Sequence, residues 1–192
     1  MDFFDRLAAK LRFFSLIISG WGNETFISPF SKINAYGEIT IGKNCRISEG
    51  CVIRVPKTAR LIIGDNCDFR EFSQVQCREQ KTTEFGKQCL IQPFCFINDQ
   101  VKIGNDAILA PHVVITAARH NFKDQIPINK QGSSTRPIEI GNNVWIGAHA
   151  IIIGPCKIGA DSIIGAGAII KQDIPEKSIA RTELKLKIEK RR

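Results

Sequence analysis

Bulky apolar residues recur every six positions through most of this chain. From Phe85 the series runs Ile91, Ile97, Ile103, Leu109 and Ile115; it breaks, then resumes at Ile140 with Ile146, Ile152, Ile158, Ile164 and Ile170. A strand alternates its side chains with period two. A six-residue unit is therefore read as a short strand followed by a turn, after which the next ladder residue faces inward again. Gly often follows the ladder residue, as at Gly64, Gly86, Gly104, Gly141, Gly147, Gly159 and Gly165, where a crowded corner or a positive φ would demand it. Asn and Asp cluster just beyond, at Asn44, Asp65, Asn66, Asn105, Asp106, Asn142, Asn143 and Asp161, as turns require. Such units cannot bury their apolar face alone. They must coil and stack on one another, so the predicted fold is an all-β solenoid.

The ladder begins near Ile27 and Ile33, slips by two residues at Ile39 and Ile41, and continues through Ile47 and Ile53. A four-residue insertion around residues 56–60 precedes Ile63, Phe69 and Val75, and a polar insertion at 78–84 precedes the regular part. The one large break starts at His120. The next ladder residue is due near position 121, yet about 19 extra residues intervene before Ile140. A solenoid tolerates such an insertion at a corner, and inserted loops commonly line a binding face.

At 192 residues the chain is expected to be one domain with short appendages. These are an amphipathic helix over 1–22, a solenoid over 23–176 with an inserted loop at 117–137, and a basic extension over 177–192. In the first segment Phe3, Phe4, Leu7, Leu11, Phe14 and Ile18 recur at helical spacing. The segment serves either as a cap on the stack or as a docking face for a membrane surface or partner. Leu184, Leu186 and Ile188 alternate with charged residues as in a strand, although a short helix also fits. The basic end, Lys190, Arg191 and Arg192, is read either as a solvated tail or as a phosphate contact.

No apolar run is long enough to span a bilayer, and no secretory signal pattern is present at the N-terminus. The net charge of +8 points to an anionic partner. Nucleic acid is disfavoured, because the basic residues are scattered and no recognition motif appears. Of seven cysteines, six (Cys45, Cys51, Cys67, Cys89, Cys95 and Cys156) fall four residues after a ladder residue. That slot otherwise holds Ser, Ala or Val, so these thiols are read as small core residues. Reduced, buried cysteines point to the cytoplasm, with the inner membrane face as a possible place of work.

With this repeat on the page, the chain resembles the hexapeptide-repeat acyltransferases, which form a left-handed parallel β-helix with three hexads per coil. The handedness comes from that resemblance; the general crossover rule favours the right hand. The resemblance narrows at Ala118-Arg119-His120-Asn121-Phe122, at Asn142-Asn143-Val144-Trp145-Ile146-Gly147, and at Ile164-Gly165-Ala166-Gly167-Ala168 followed by Asp173-Ile174-Pro175. These runs are similar to the galactoside and maltose O-acetyltransferases, and more so to the capsular and lipopolysaccharide sugar O-acetyltransferases. The resemblance implies acetyl-CoA as acyl donor, a sugar or glycan acceptor, no metal, and a homotrimer with sites between subunits.

The same resemblance implies that His120 is the general base. Imidazole ionises near neutrality, which suits removal of a hydroxyl proton as the oxygen attacks a thioester directly. It further implies coenzyme contacts at Trp145, Gly147, Ala148, Ala166 and Lys171. Ala148 and Ala166 are 18 apart and so stack at three hexads per coil, where small side chains admit a ligand to the backbone. Trp145 is equally read as a corner packing residue. Two departures stand out. The family's Tyr and Asn acceptor contacts fall here on Gln88 and Leu90, and a Gly-x-Pro-Ala-Lys/Arg segment is replaced by Ser178-Ile179-Ala180-Arg181. Asn98 and Asp99, polar in the preceding coil, are the acceptor-binding candidates. His112 and His149 are predicted to stack about 4.8 Å apart on successive coils. They lack the third histidine that a zinc site of this fold needs.

Overall fold

A computed structural model describes residues 24–183. The helix expected over 1–22 and the alternating segment after Glu183 lie outside the described residues. Each coil places one short strand on each of three parallel sheets. Face one has eight strands, from Phe26–Ile27 through Leu90–Ile91, Ile108–Leu109 and Trp145–Ile146 to Ile179–Ala180. Face two has seven, from Lys32–Ala35 through Phe96–Asn98 and Val114–Thr116 to Ile169–Ile170. Face three has six, from Glu38–Ile41 through Val101–Ile103 and Ile138–Ile140 to Cys156–Ile158.

The ladder is the core. Every ladder residue from Phe85 to Ile170 is at most 7% exposed. Burying side chains of this size contributes about 1.5–3 kcal/mol each before conformational entropy is set against it. Phe69 and Phe85 meet edge to face at 5.0 Å.

Two corners of the prism keep a constant length, and the third does not. In regular coils partners are 18 residues apart, as in Leu90 with Ile108 and Trp145 with Ile163. Phe26 and Arg46 are 20 apart, and Arg46 and Asp68, like Asp68 and Leu90, are 22 apart. Ile108 and Trp145 are 37 apart. All of this variation is absorbed between face two and face three, where residues 36–37, 56–59, 77–81 and 117–137 separate the strands.

The constant corner between face three and face one is knitted by side chains. Asn44 Nδ2 donates to Asn66 Oδ1 (3.2 Å), Asn143 Nδ2 donates to Asp161 Oδ1 (2.8 Å), and the Asn105 amide donates to Asn142 Oδ1 (2.8 Å). Positive φ at this corner belongs to Asn44, Asn66, Gln88, Asp106, Asn143, Asp161 and Lys177, not to the ladder glycines. The glycines are needed instead for close approach: a Cβ on Gly104 would lie 2.7 Å from the Gly141 carbonyl carbon of the next coil.

All seven cysteines are free and buried. The slot is more polar than a purely apolar reading implies, because the thiols stacked at one corner donate to backbone carbonyls. Cys45 Sγ reaches Gly64 O (3.1 Å), Cys67 Sγ reaches Gly86 O (3.0 Å) and Cys89 Sγ reaches Gly104 O (3.2 Å). Burial pushes the Cys95 and Cys156 thiols up to about 11, which keeps them neutral.

Candidate active site

The longest excursion from the solenoid among the described residues is an antiparallel hairpin. Its outgoing strand, Ala118–His120, pairs with a returning strand, Ser133–Thr135, with His120 opposite Ser133. A short 3-10 turn, Ile128–Lys130, sits near the tip. Gln131 holds the loop in shape. Its Nε2 donates to Asp124 O (2.9 Å) and Ile126 O (2.6 Å), its Oε1 accepts from the Asp124 amide (3.0 Å), and its carbonyl accepts from Asn121 Nδ2 (3.0 Å). His120 is exposed and lines a pocket of about 550 Å³ with Arg119, Asn121, Phe122, Asp124, Ser134 and Arg136. The Arg119 guanidinium lies over the Phe122 ring at 5.0 Å.

Ala148 and Ala166 stack as their spacing predicts, with the Gly167 amide donating to Ala148 O (2.8 Å). Gly147 is buried beneath them; a Cβ there would meet Ala166 N at 2.5 Å. Trp145 projects outward from face one, half exposed, between Ile108 and Ile163. These four residues mark the corner between faces one and two. Asn98 instead lies on face two, paired with Gln76 and Thr116, and the hairpin leaves from that edge. Lys171 is exposed just beyond Ile169–Ile170, at the same edge as Asn98. Within one chain, therefore, the candidate residues form two groups at opposite edges of face two. Lys171 is five positions beyond Ala166, at most about 17 Å of extended chain.

Asp99 does not belong with the acceptor candidates. Its side chain is 1% exposed, and its carboxylate accepts from Arg78 Nη1 (3.1 Å) and Thr135 Oγ1 (3.1 Å to each oxygen). No face of it is left for a substrate. Arg78 also donates to Ser133 Oγ (3.0 Å) and Ser133 O (2.7 Å). Arg78, Ser133 and Thr135 carry no repeat signature, but Asp99 does. Counted in twos from Ile97 it faces inward, in the column that holds Val55, Cys77 and Ala117 in neighbouring coils. A buried acid in an apolar column requires a cation or several donors.

His112 and His149 stack at 4.7 Å with rings 3° apart, continuing a column from Phe72 and Phe94. Among the described residues no three His, Cys, Asp or Glu side chains converge on a common point.

The outer faces differ in chemistry. Face three carries an ion-pair ladder, with Arg60–Glu38 at 2.8 Å, Lys102–Glu84 at 3.6 Å and Lys157–Glu139 at 3.1 Å. Faces one and two present apolar stripes instead: Leu90, Ile108, Trp145, Ile163 and Ile179 on one, and Phe96, Val114, Ile151 and Ile169 on the other.

Residues 82–117 and 137–172 match the family described as bacterial transferase hexapeptide (six repeats), and the gap between the two stretches is the hairpin. Over these two stretches the chain is similar to the hexapeptide-repeat transferases. The solenoid is accordingly a left-handed parallel β-helix. Among similar proteins, the galactoside O-acetyltransferase of Escherichia coli is 41% identical over 80 residues, covering 42% of this chain and 39% of that protein. The bifunctional protein GlmU of Pelobacter propionicus is 28% identical over 176 residues, covering 83% of this chain and 37% of that protein. The chain thus spans about two fifths of the length of the curated relatives it matches. A solved structure of AntD, an N-acyltransferase from Bacillus cereus, in complex with dTDP and 3-hydroxybutyryl-CoA, aligns with a TM-score of 0.55 at 20% identity. It covers 83% of this chain and 76% of that chain, and the likeness is one of fold.

Proposed function

We propose that this protein is an acetyl-CoA-dependent O-acetyltransferase acting on a sugar hydroxyl, working in the cytoplasm or at its membrane face in surface-polysaccharide or lipopolysaccharide assembly. The observation that carries the reading is the exposed imidazole of His120, set in a pocket on the one hairpin that interrupts the transferase repeats. In this reading His120 takes the proton of the acceptor hydroxyl as its oxygen attacks the thioester carbonyl. The tetrahedral intermediate then collapses, the carbon–sulfur bond breaks, and the coenzyme leaves as thiol once the proton returns. No acyl-enzyme forms, because the thioester is already activated. The Ala148–Ala166 column and Trp145 border the pantetheine arm, Gly147 keeps the coils close enough for that column to form, Lys171 meets a phosphate and Asn98 meets the acceptor.

The two groups of candidates lie at opposite edges of face two, which supports a homotrimer whose sites form between copies. His120 of one copy would then face the alanine column of its neighbour. The apolar stripes on faces one and two, and the exposed Phe122, Ile126 and Ile128 on the hairpin, supply surface for such contacts.

The test is acetyl transfer from acetyl-CoA to a panel of sugars, amino sugars and nucleotide sugars, with the product treated with mild base. The reading expects a base-labile ester. A base-stable amide would make the protein an N-acetyltransferase, and failure to bind acetyl-CoA would point to a non-catalytic β-helix.

A further inference from the structure

The Arg78–Asp99 pair ties two neighbouring coils, which the repeat stacks, to the hairpin, which the repeat does not place. Asp99 sits inside the corner between faces two and three, with a positive φ of 74° and its amide donating to Gln76 O (2.8 Å). Its carbonyl accepts from the buried Thr83 Oγ1 (2.6 Å). The acid is thus fixed by the coils on both its backbone and its carboxylate sides. From that fixed point two contacts reach the returning strand of the hairpin, one directly through Thr135 and one through Arg78 to Ser133. All three hydrogen bonds of Arg78, to Asp99 Oδ2, Ser133 Oγ and Ser133 O, have an ionised donor, which places them in the stronger class.

Ser133 stands opposite His120. The ladder bonds Arg136 N to Ala117 O (2.6 Å) and Asn121 N to Gly132 O (3.1 Å) fall on alternate pairs. The alternation of an antiparallel ribbon then makes His120 and Ser133 a non-hydrogen-bonded pair, with Cα atoms about 4.5 Å apart and side chains on one face. That arrangement leaves the Ser133 carbonyl outside the ladder, where Arg78 takes it.

We infer that Arg78 and Asp99 form a clamp, anchored on the buried Asp99 carboxylate, that grips the returning strand at Ser133 and Thr135 and thereby sets the position of His120 for catalysis. Both are positioning residues, since neither touches the reacting atoms. The role in turnover rests on the reading of His120 as base; the grip on the hairpin does not. The cooperative weight of the clamp comes from burial. A carboxylate withdrawn from water holds its partners tightly, and removing one partner leaves an uncompensated charge that the segment relieves by moving.

The experiment compares Arg78→Ala, Arg78→Lys and Thr135→Val in the full chain, reading amide hydrogen exchange and steady-state kinetics together. In Arg78→Ala, amides of residues 118–121 and 132–135 are expected to lose protection by roughly tenfold or more, while ladder strands of the flanking coils keep theirs. The same variant is expected to lose about 10–100-fold in kcat while KM for acetyl-CoA stays within about threefold, as a displaced base requires. Millimolar guanidinium ion should restore part of kcat in Arg78→Ala. Arg78→Lys should recover less than the guanidinium-treated variant, because one ammonium does not reproduce the fork. Thr135→Val, the milder change, should show a smaller loss of the same kind. Unchanged hairpin protection in Arg78→Ala overturns the clamp. Lost protection with unchanged kcat, in an enzyme that His120→Ala disables, overturns the positioning role. If His120→Ala is itself fully active, the base assignment fails, and the exchange data alone decide whether the clamp exists.

Discussion

Two corners of the same prism are built on opposite rules. Between face three and face one, every coil turns in the same number of residues, and Asn and Asp side chains repeat the same bonds from coil to coil. Between face two and face three no two neighbouring turns need agree. They run from two residues at 36–37 to twenty-one at 117–137. The buried acid, its arginine and the exposed histidine all belong to this second corner. In a repeat protein each coil rests on its neighbours, so a corner that pairs coil to coil must keep its length, whereas one that turns outward is free to vary. The constant corner holds the fold, and the variable one carries the candidate chemistry.

The sharpest way to break that comparison is to remove the variable corner. Replacing residues 117–137 with a two-residue turn would restore the 18-residue coil that Leu90 and Ile108 already show. Activity should fall by at least about 10³-fold, since base and positioning are both lost. Circular dichroism and thermal melting should still report a folded β-helix, because the buried Asp99 keeps its ion pair with Arg78. A chain that fails to fold would show that the hairpin is structural.

The converse change strikes the constant corner. Gly104→Ala places a methyl group against the backbone of the next coil and should destabilise by about 1–3 kcal/mol in denaturant unfolding, with the remaining folded enzyme as active per molecule as before. Alkaline pH should also weaken the coils. The folded thiols of Cys95 and Cys156 sit at about 11 against an ordinary value of 9.0, so the unfolded chain releases protons first. Their stabilising effect is whole below pH 9 and is lost as pH rises through about 11, which a melting series over that range would record. The smallest effect is expected for Asn143→Ala, which removes one exposed bond to Asp161 at a residue of positive φ. It should cost about 1 kcal/mol and leave turnover unchanged.

The same contrast explains what could be read without coordinates. The ladder from Phe85 to Ile170, the small slot that holds six cysteines, and the His112–His149 stack are all local consequences of a period. The structure returns each of them, the histidine pair at 4.7 Å. The crowding that the ladder glycines relieve is legible too, whereas the positive φ expected with it falls on neighbouring residues such as Asn143 and Asp161. At the variable corner the insertion around His120 was visible as a break, yet its hairpin was not. The contact from Arg78 to Ser133 spans 55 residues and has no periodic signature. Asp99 reads as a substrate contact because it is polar in the coil that precedes the break. Counting in twos from Ile97 would have turned it inward and asked for its partner.

The most direct test of the account is kcat for acetyl transfer by His120→Ala against the unaltered protein, at saturating acetyl-CoA and acceptor. A loss of about 10²–10⁴-fold is expected, the usual worth of a general base, with melting temperature unchanged. Turnover equal to that of the unaltered protein would contradict it.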